Sequence, residues 1–262
     1  MTIKGVCVSL PRFYSEIKLP KSGSAILQLP KEEMHHLHVL RISEGEHIAI
    51  FDSYGTSLEF TVQSIEKSSI SGEILQELPS EKMPRLTLVQ GISKGDRMTQ
   101  TIRQTTEIGV QRIIPFLSER CIVRLAKNER SKKGDRFRSI AFSAAKQCGR
   151  SFLPQIDDPL EIEELLQILQ DFDRIILAWE EKSKSGIDIT AALNGCNINT
   201  NVALLIGPEG GFSEAEVEQI INSCGDKLKT ISLGDLILRT ETAAVVASAL
   251  CLHELGALGR RA

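Results

Sequence analysis

The sequence lacks the features that mark several classes of protein. No apolar run reaches the roughly 20 residues that a membrane-spanning helix needs, and the few apolar residues before Pro11 are too short for a signal peptide. The six cysteines are scattered and form no CxxC pair, which favours free thiols over a disulfide framework or a zinc site. Neither GxGxxG nor GxxxxGK[ST] occurs, so a dinucleotide-binding fold and a P-loop kinase are both disfavoured.

The charge is unevenly distributed along the 262 residues. Residues 82–150 carry 16 Lys and Arg against 5 Asp and Glu, whereas the net charge is −4 over residues 1–81 and −10 over residues 151–262. On charge alone the basic segment is either a solvated helix face or a phosphate-binding surface.

The hydrophobic pattern changes near residues 76–84. Before them, alternating apolar and polar residues over 48–52, 57–65 and 68–75 predict a β-rich region with a helix at 31–41. After them, short apolar runs alternate with helical stretches, as in a largely parallel α/β sheet. We therefore predict two domains, residues 1–78 and 79–262. Four of the five histidines fall within 31–47, but adjacent histidines point in different directions on a helix, so we predict no metal site there.

One segment, VALLIGPEGGFSEAEVEQII at 202–221, has the pattern of a ligand-binding loop. A buried strand runs into a loop with three glycines, and Ser213 and Glu216 are spaced as a capping box for the next helix. Ligands in open α/β sheets bind at the carboxyl ends of strands, where glycines let the backbone approach closely. A tight strand–helix turn without a ligand is the alternative.

The second segment is SLGDLILRTETAAVVASALCLHEL at 232–255. A strand ends at Gly234, Thr240 is the predicted N-cap, and the following helix is so apolar that it belongs in a core or at a subunit interface. Arg239 directly precedes this helix. Burying such an arginine is costly without an anionic or hydrogen-bonding partner, which could be a ligand; a salt bridge to Glu241 or Glu209 is the alternative.

These two segments, as LLIGPEGGFSEAEVE and LGDLILRTETA, resemble the ribosomal RNA small subunit methyltransferase E family of the knotted SPOUT methyltransferases. PRFY and HHLHVLRISEGEHIAIFDSYG are similar to the family's PUA-like RNA-binding domain, and KGDRMTQTIRQTTEIGV, PFLSERC and AAKQCGR to its middle motifs. Two positions depart from the family pattern: Gln104, where we expect a lysine, and Leu236, where an arginine is frequent.

The resemblance implies the fold and the activity. The expected fold is a SPOUT-type knotted parallel α/β sheet with helices on both faces and a C-terminal trefoil knot, plus the small β-rich PUA-like domain. The expected activity is S-adenosylmethionine-dependent methylation of N3 of a specific uridine in 16S ribosomal RNA of the small subunit. We expect a cytoplasmic homodimer that uses no metal and contacts no membrane.

The resemblance also implies site residues. Cofactor-binding positions are Leu205, Ile206, Gly207, Glu209, Gly210, Gly211, Leu233, Gly234, Leu238, Arg239 and Thr242. We expect Arg239 to stabilise the uridine anion and Glu209 to orient or accept the proton, unless Glu209 only caps its loop. RNA-binding candidates are Arg12, Arg41, Lys94, Arg97, Arg120, Arg136, Arg138 and Arg150. The alternatives are a non-catalytic RNA-binding assembly factor and a SPOUT methyltransferase with a different RNA target.

Overall fold

The computed structural model describes residues 10–52, 55–78, 83–148, 150, 152–179 and 186–259. The chain divides into two compact units, Met1–Glu81 with Lys146–Leu153 and Lys82–Ala145 with Pro154–Ala262. The boundary predicted after residue 78 adjoins residues 79–82, which lie outside the described residues, and it stays a prediction. Cys7 also lies outside them, and the other five cysteines are free thiols.

The first unit is built on a five-stranded sheet with the order β1-β3-β4-β5-β2. β1 pairs in parallel with β3, and the remaining pairs are antiparallel. Alternate side chains of these strands pack with Met34 and Leu37 of α1 into one core. Its elements are β1 (Arg12–Ser15), β2 (Gly23–Gln28), α1 (Lys31–Val39), β3 (His47–Asp52), β4 (Ser57–Ile65) and β5 (Ser69–Glu77).

The second unit carries a six-stranded sheet whose strand pairs are all parallel, in the order β11-β9-β10-β6-β7-β8. The strands are β6 (Leu86–Gly91), β7 (Arg112–Phe116), β8 (Gln155–Ile156), β9 (Arg174–Ala178), β10 (Val202–Ile206) and β11 (Leu228–Ile231). The helices are α2 (Arg97–Ile108), α3 (Arg130–Cys148), α4 (Ile162–Leu169), α5 (Ile189–Ala192), α6 (Glu214–Cys224) and α7 (Thr240–Glu254).

Both faces of this sheet are covered by helices. Leu204 of the central strand β10 packs in a core with residues of α2, α3, α5 and α7. Its neighbour Leu205 points to the opposite face and packs with residues of α4 and α6. Strands buried on both faces explain the continuous apolar runs in the sequence. The predicted parallel α/β sheet with helices on both faces, joined to a small β-rich unit, is confirmed.

The helix α7 presents two different faces. Ala244, Ala247 and Cys251 are fully buried in the core that it shares with α2. Val246 and Leu250 remain partly exposed in the single chain. An apolar helix face of this kind is typical of a subunit interface.

Candidate functional site

The carboxyl ends of three adjacent parallel strands border a cavity of about 680 Å³. β9 contributes Ala178 and is followed by Trp179, and β10 is followed by residues 207–212. β11 is followed by residues 232–239, after which α7 begins. We refer to residues 207–212 as the glycine loop and to 232–239 as the second loop. The cavity has the size of a small-molecule site and lies at the sheet edge where α/β proteins bind ligands.

The packing of the glycine loop leaves little room for a side chain at Gly207, within the loop, or at Gly91, which contacts the loop. A Cβ atom on Gly207 would lie 3.0 Å from the carbonyl carbon of Gly211 and 3.1 Å from the amide nitrogen of Phe212. A Cβ atom on Gly91, at the end of β6, would overlap the backbone nitrogen of Pro208. Glycine at both positions therefore sets how closely this loop approaches its own turn and the sheet.

A buried network of hydrogen bonds joins the glycine loop to the start of α7. The Thr240 hydroxyl donates to the carbonyl of Gly207 at 2.6 Å and accepts from Nε2 of Gln90 at 2.9 Å. The prediction that Thr240 is the N-cap of α7 is wrong, since Arg239 occupies the N-cap position and Thr240 is the first helical residue. The Thr240 hydroxyl instead links the glycine loop to Gln90 of β6.

Glu209 extends from the glycine loop to the start of α2. Its Oε1 accepts a hydrogen bond from the Lys94 amide at 3.0 Å and from Nη1 of Arg97 at 2.6 Å. Burial raises the pKa of Glu209, but hydrogen bonds from its own amide, Arg97 and Lys94 outweigh burial and hold the pKa below its usual value. Glu209 is therefore ionised near neutral pH and already has donors.

A buried carboxylate, Glu216, ties α6 to the segment that follows β7. The predicted capping box is confirmed, because Ser213 Oγ accepts from the Glu216 amide and Glu216 Oε2 accepts from the Ser213 amide. Glu216 also accepts from the Ser118 hydroxyl at 2.9 Å and from the Glu119 amide at 2.8 Å. The next residue, Arg120, donates to the carbonyl of Gly210 at 3.3 Å. The glycine loop is thereby held from both sides.

We expect Glu216→Ala to destabilise the protein by about 3 kcal/mol, because it strands three donors of which two belong to the backbone. Glu214→Ala removes an exposed carboxylate from the same helical turn and should cost less than about 1 kcal/mol. Urea titration gives both values. Equal losses for the two variants would show that Glu216 acts only as a helix-terminal charge.

Most of the predicted cofactor residues line the cavity, namely Ile206, Gly207, Glu209, Gly211, Leu233, Gly234, Leu238 and Arg239. Three are absent from its lining. Leu205 points into the core on the α4 and α6 side, Gly210 faces Arg120, and Thr242 is exposed on α7. All three are neighbours in sequence of residues that line the cavity. Side chains alternate along a strand and rotate around a helix, so a neighbour in sequence can face away from the cavity.

Arg239 borders the cavity and is exposed. Within the described part of the chain, neither Glu209 nor Glu241 pairs with Arg239. The arginine that lies beside both carboxylates is Arg97. The guanidinium of Arg239 is therefore available to a ligand.

Sequence reasoning missed several residues of the cavity. Trp179, the one tryptophan of the chain, lies in its wall together with Asp235 and Glu241. Only the position of Trp179 at the carboxyl end of the apolar run 174–179 could have indicated its place. The second loop also holds Leu236 and Ile237, which are 81% and 87% exposed.

The RNA-binding candidates differ in how accessible they are. In the first unit Arg41 is exposed and adopts a left-handed backbone (φ 55°), while Arg12 lies over the Phe51 ring. Arg150 is 5% exposed and lies over Phe152, which removes it from a surface role.

In the second unit, Lys94 and Arg136 are exposed, and within the described residues Arg136 has no hydrogen-bond or ion-pair partner. Arg138, by contrast, pairs with Asp135 and Asp158. Arg97 and Arg120 are engaged with the glycine loop.

The described ranges indicate no metal site, and the thiol of Cys121 is held protonated. No group of three or more His, Cys, Asp or Glu is arranged to hold a metal ion there. None of the helices described is long and apolar enough to cross a membrane. Cys121 lies near the glycine loop, but burial raises the pKa of its thiol to about 11, so it stays protonated at neutral pH.

Comparison with known proteins places this site in a family. Residues 80–252 match the RNA methyltransferase domain family, and residues 29–75 match the RNA methyltransferase PUA domain family. The ribosomal RNA small subunit methyltransferase E of Bacillus subtilis is 35% identical over 248 residues, which cover 91% of this chain and 94% of the relative. The chain belongs to the ribosomal RNA small subunit methyltransferase E family.

Solved structures of similar proteins extend the comparison. A ribosomal RNA small subunit methyltransferase E from Neisseria gonorrhoeae, bound to S-adenosylmethionine, has a TM-score of 0.75 and 30% identity and covers 92% of this chain and 96% of its own. A methyltransferase from Legionella pneumophila in complex with the same cofactor has a TM-score of 0.77 and 29% identity, covering 93% and 97%. The methyltransferase E fold therefore extends over both units of this chain.

Proposed function

We propose that this protein transfers the methyl group of S-adenosylmethionine to N3 of a specific uridine in 16S ribosomal RNA. The observation that carries the proposal is the cavity between the glycine loop and the second loop, in a chain whose relatives have been crystallised with this cofactor. The residues fit such a group. The glycines leave backbone groups accessible, Trp179, Ile231 and Leu233 offer apolar surface to an adenosine, and carboxylates are available to a cationic ligand.

The bound cofactor would supply an electrophilic methyl group on a sulfonium. The protein must hold the target nitrogen in line with that methyl group and help the imide N–H to lose its proton. Negative charge then develops over N3 and the two carbonyl oxygens of the uracil ring. We assign stabilisation of this charge to Arg239, whose guanidinium can span two acceptors.

We assign Glu209 a positioning role. Its lowered pKa and its two donors make it a poor proton acceptor at neutral pH. Through Arg97 and Lys94 it fastens the glycine loop to the start of α2. This assignment follows the loop-capping alternative that the sequence left open.

For RNA binding, we propose that the exposed cations of the basic segment contact phosphates. Arg136→Ala should lower the slope of log K against log salt by about 1, because one phosphate contact is lost. Arg138→Ala should change this slope much less, since Arg138 is already paired with Asp135 and Asp158. Filter binding to ribosomal RNA over a salt series measures both slopes. If Arg138 has the larger effect, the ion pairs open on binding and the proposed surface is wrong.

We further propose that the protein is a homodimer with a knotted C-terminal region, located in the cytoplasm. Val246 and Leu250 on α7 leave an apolar face that a second copy would cover. Sedimentation at micromolar concentration should show a dimer, and Val246→Glu combined with Leu250→Glu should produce a monomer. An active monomeric wild type would contradict this.

Incubation with labelled S-adenosylmethionine and ribosomal RNA or small subunits tests the proposed reaction. We expect label in 16S RNA, at N3 of a single uridine by nucleoside analysis. RNA binding without label would indicate a non-catalytic assembly factor, and label at another base or in another RNA would indicate a different target.

A further inference from the structure

The carboxylate of Glu241 stands out among the charged groups of the cavity. Its side chain borders the cavity and is 14% exposed. Its Oε2 is buried, and no donor within the described residues forms a hydrogen bond with it. Burying a charged oxygen without a hydrogen bond is costly, so an unfilled acceptor beside a ligand cavity points to a donor on the ligand.

Arg97, the cation that pairs with Glu241, does not meet this need. Nε of Arg97 lies 3.9 Å from Glu241 Oε2, beyond hydrogen-bond distance, while Nη1 of the same guanidinium donates to Glu209 at 2.6 Å. One arginine is therefore shared between two carboxylates. Oε2 of Glu241 therefore still lacks a hydrogen-bond donor.

The opposite charges of Arg97 and Glu241 are complementary to the two charges of a zwitterionic ligand. A positive and a negative side chain lie next to each other at the cavity wall. The methionine end of the cofactor carries an α-ammonium and an α-carboxylate on the same carbon. An ammonium has N–H donors for an empty acceptor, whereas the sulfonium has none. The ammonium is therefore the better match for Glu241.

We propose that Glu241 receives the α-ammonium group of the bound cofactor and so selects ligands that retain the amino-acid end. This inference rests on the proposed function. Glu241 acts as a binding residue here, and the carboxylate can present either oxygen by rotation about its last side-chain bond.

Three ligands separate this role from the alternatives. S-adenosylmethionine carries the ammonium and the sulfonium, S-adenosylhomocysteine carries only the ammonium, and methylthioadenosine carries neither. Calorimetry gives their affinities, and fluorescence of Trp179 in the cavity wall gives an independent signal. Glu241→Gln keeps the shape of the side chain and removes its charge. Asp235→Asn is the matched control, because Asp235 is an exposed carboxylate of the same cavity.

For Glu241→Gln we expect affinity for both S-adenosylmethionine and S-adenosylhomocysteine to fall about tenfold or more, since a charge-assisted hydrogen bond is lost. Affinity for methylthioadenosine should not change, and Asp235→Asn should have a much smaller effect on all three. Thermal unfolding without ligand shows whether the variant is folded. If it is not, Glu241→Asp, which keeps the charge but retracts it, should show the same selectivity with a smaller loss.

Other results would overturn the inference in distinguishable ways. An equal loss for all three ligands would mean that Glu241 only shapes the cavity or stabilises the start of α7. A loss for S-adenosylmethionine alone would assign Glu241 to the sulfonium. Unchanged affinities with slower methyl transfer would place Glu241 against the RNA. A wild-type protein that binds none of the ligands would overturn the proposed function itself.

Discussion

Arg239→Ala should lower the single-turnover rate of methyl transfer by ~100-fold or more, comparable to the loss of one oxyanion donor. Arg239 is exposed at the cavity, and no carboxylate of the described residues pairs with it, so its charge is available to the substrate. The benefit arises mainly in the transition state, because the uracil ring becomes anionic only as its proton leaves. Cofactor affinity should change much less, since a sulfonium gains nothing from a nearby guanidinium.

Two further variants sharpen this expectation. Arg239→Lys should restore only part of the rate, because a point charge does not reproduce the guanidinium fork. Arg103→Ala removes the same charge from an exposed position on α2 that does not line the cavity, and at saturating RNA, where a lost phosphate contact no longer limits binding, it should leave the rate unchanged. The deficit of Arg239→Ala should also shrink as the pH rises and N3–H ionises more readily. A loss of cofactor affinity in proportion to the rate would show that Arg239 builds the pocket instead.

Gly91→Ala should impair methyl transfer by displacing the glycine loop from the end of β6. The added Cβ would overlap Pro208, and because that contact is with backbone, the glycine loop must move as a whole. We expect the transfer rate to fall ~100-fold, since displacements of about 1 Å in a site can have this effect. Overpacking should also lower the free energy of unfolding by about 3 kcal/mol.

Gly72→Ala provides the matched control. A Cβ atom there would overlap the carbonyl oxygen of Thr61 in the first unit, so the variant is overpacked in a similar way but in a unit that contributes no residue to the lining of the cavity. It should destabilise the protein and leave cofactor affinity intact below the unfolding temperature. If both glycine variants retain cofactor affinity and rate, the glycine loop tolerates displacement and its close packing is not required.

The sequence allowed those parts of the fold to be predicted that depend on local patterns. Strands such as β10 appear as continuous apolar runs because both of their faces are buried. The capping box of Ser213 and Glu216 was predictable because its two partners lie three residues apart. The cavity position followed from the rule that ligands bind at the carboxyl ends of parallel strands.

The remaining features depend on contacts between distant residues. Glu216 was predicted as a helix cap, but its bonds to Ser118 and Glu119 span almost 100 residues, and no local pattern signals them. Arg97 was predicted to contact RNA, but it forms an ion pair with Glu209 at the cavity, and these two residues are more than 100 positions apart. The bond of the Thr240 hydroxyl to the Gly207 carbonyl also joins residues far apart in the sequence, and no local pattern signals it.

The bond between Gln90 and Thr240 has a consequence for biosynthesis. These residues are 150 positions apart, and β6, which carries Gln90, pairs with β10 only after more than 100 further residues have been made. Pairings between such distant segments form late and slowly. While the chain is emerging from a ribosome, the floor of the cavity is therefore incomplete until the start of α7 has been synthesised. Cofactor can stabilise this fold only after translation has passed Thr240, so ligand binding cannot assist the earlier steps of folding.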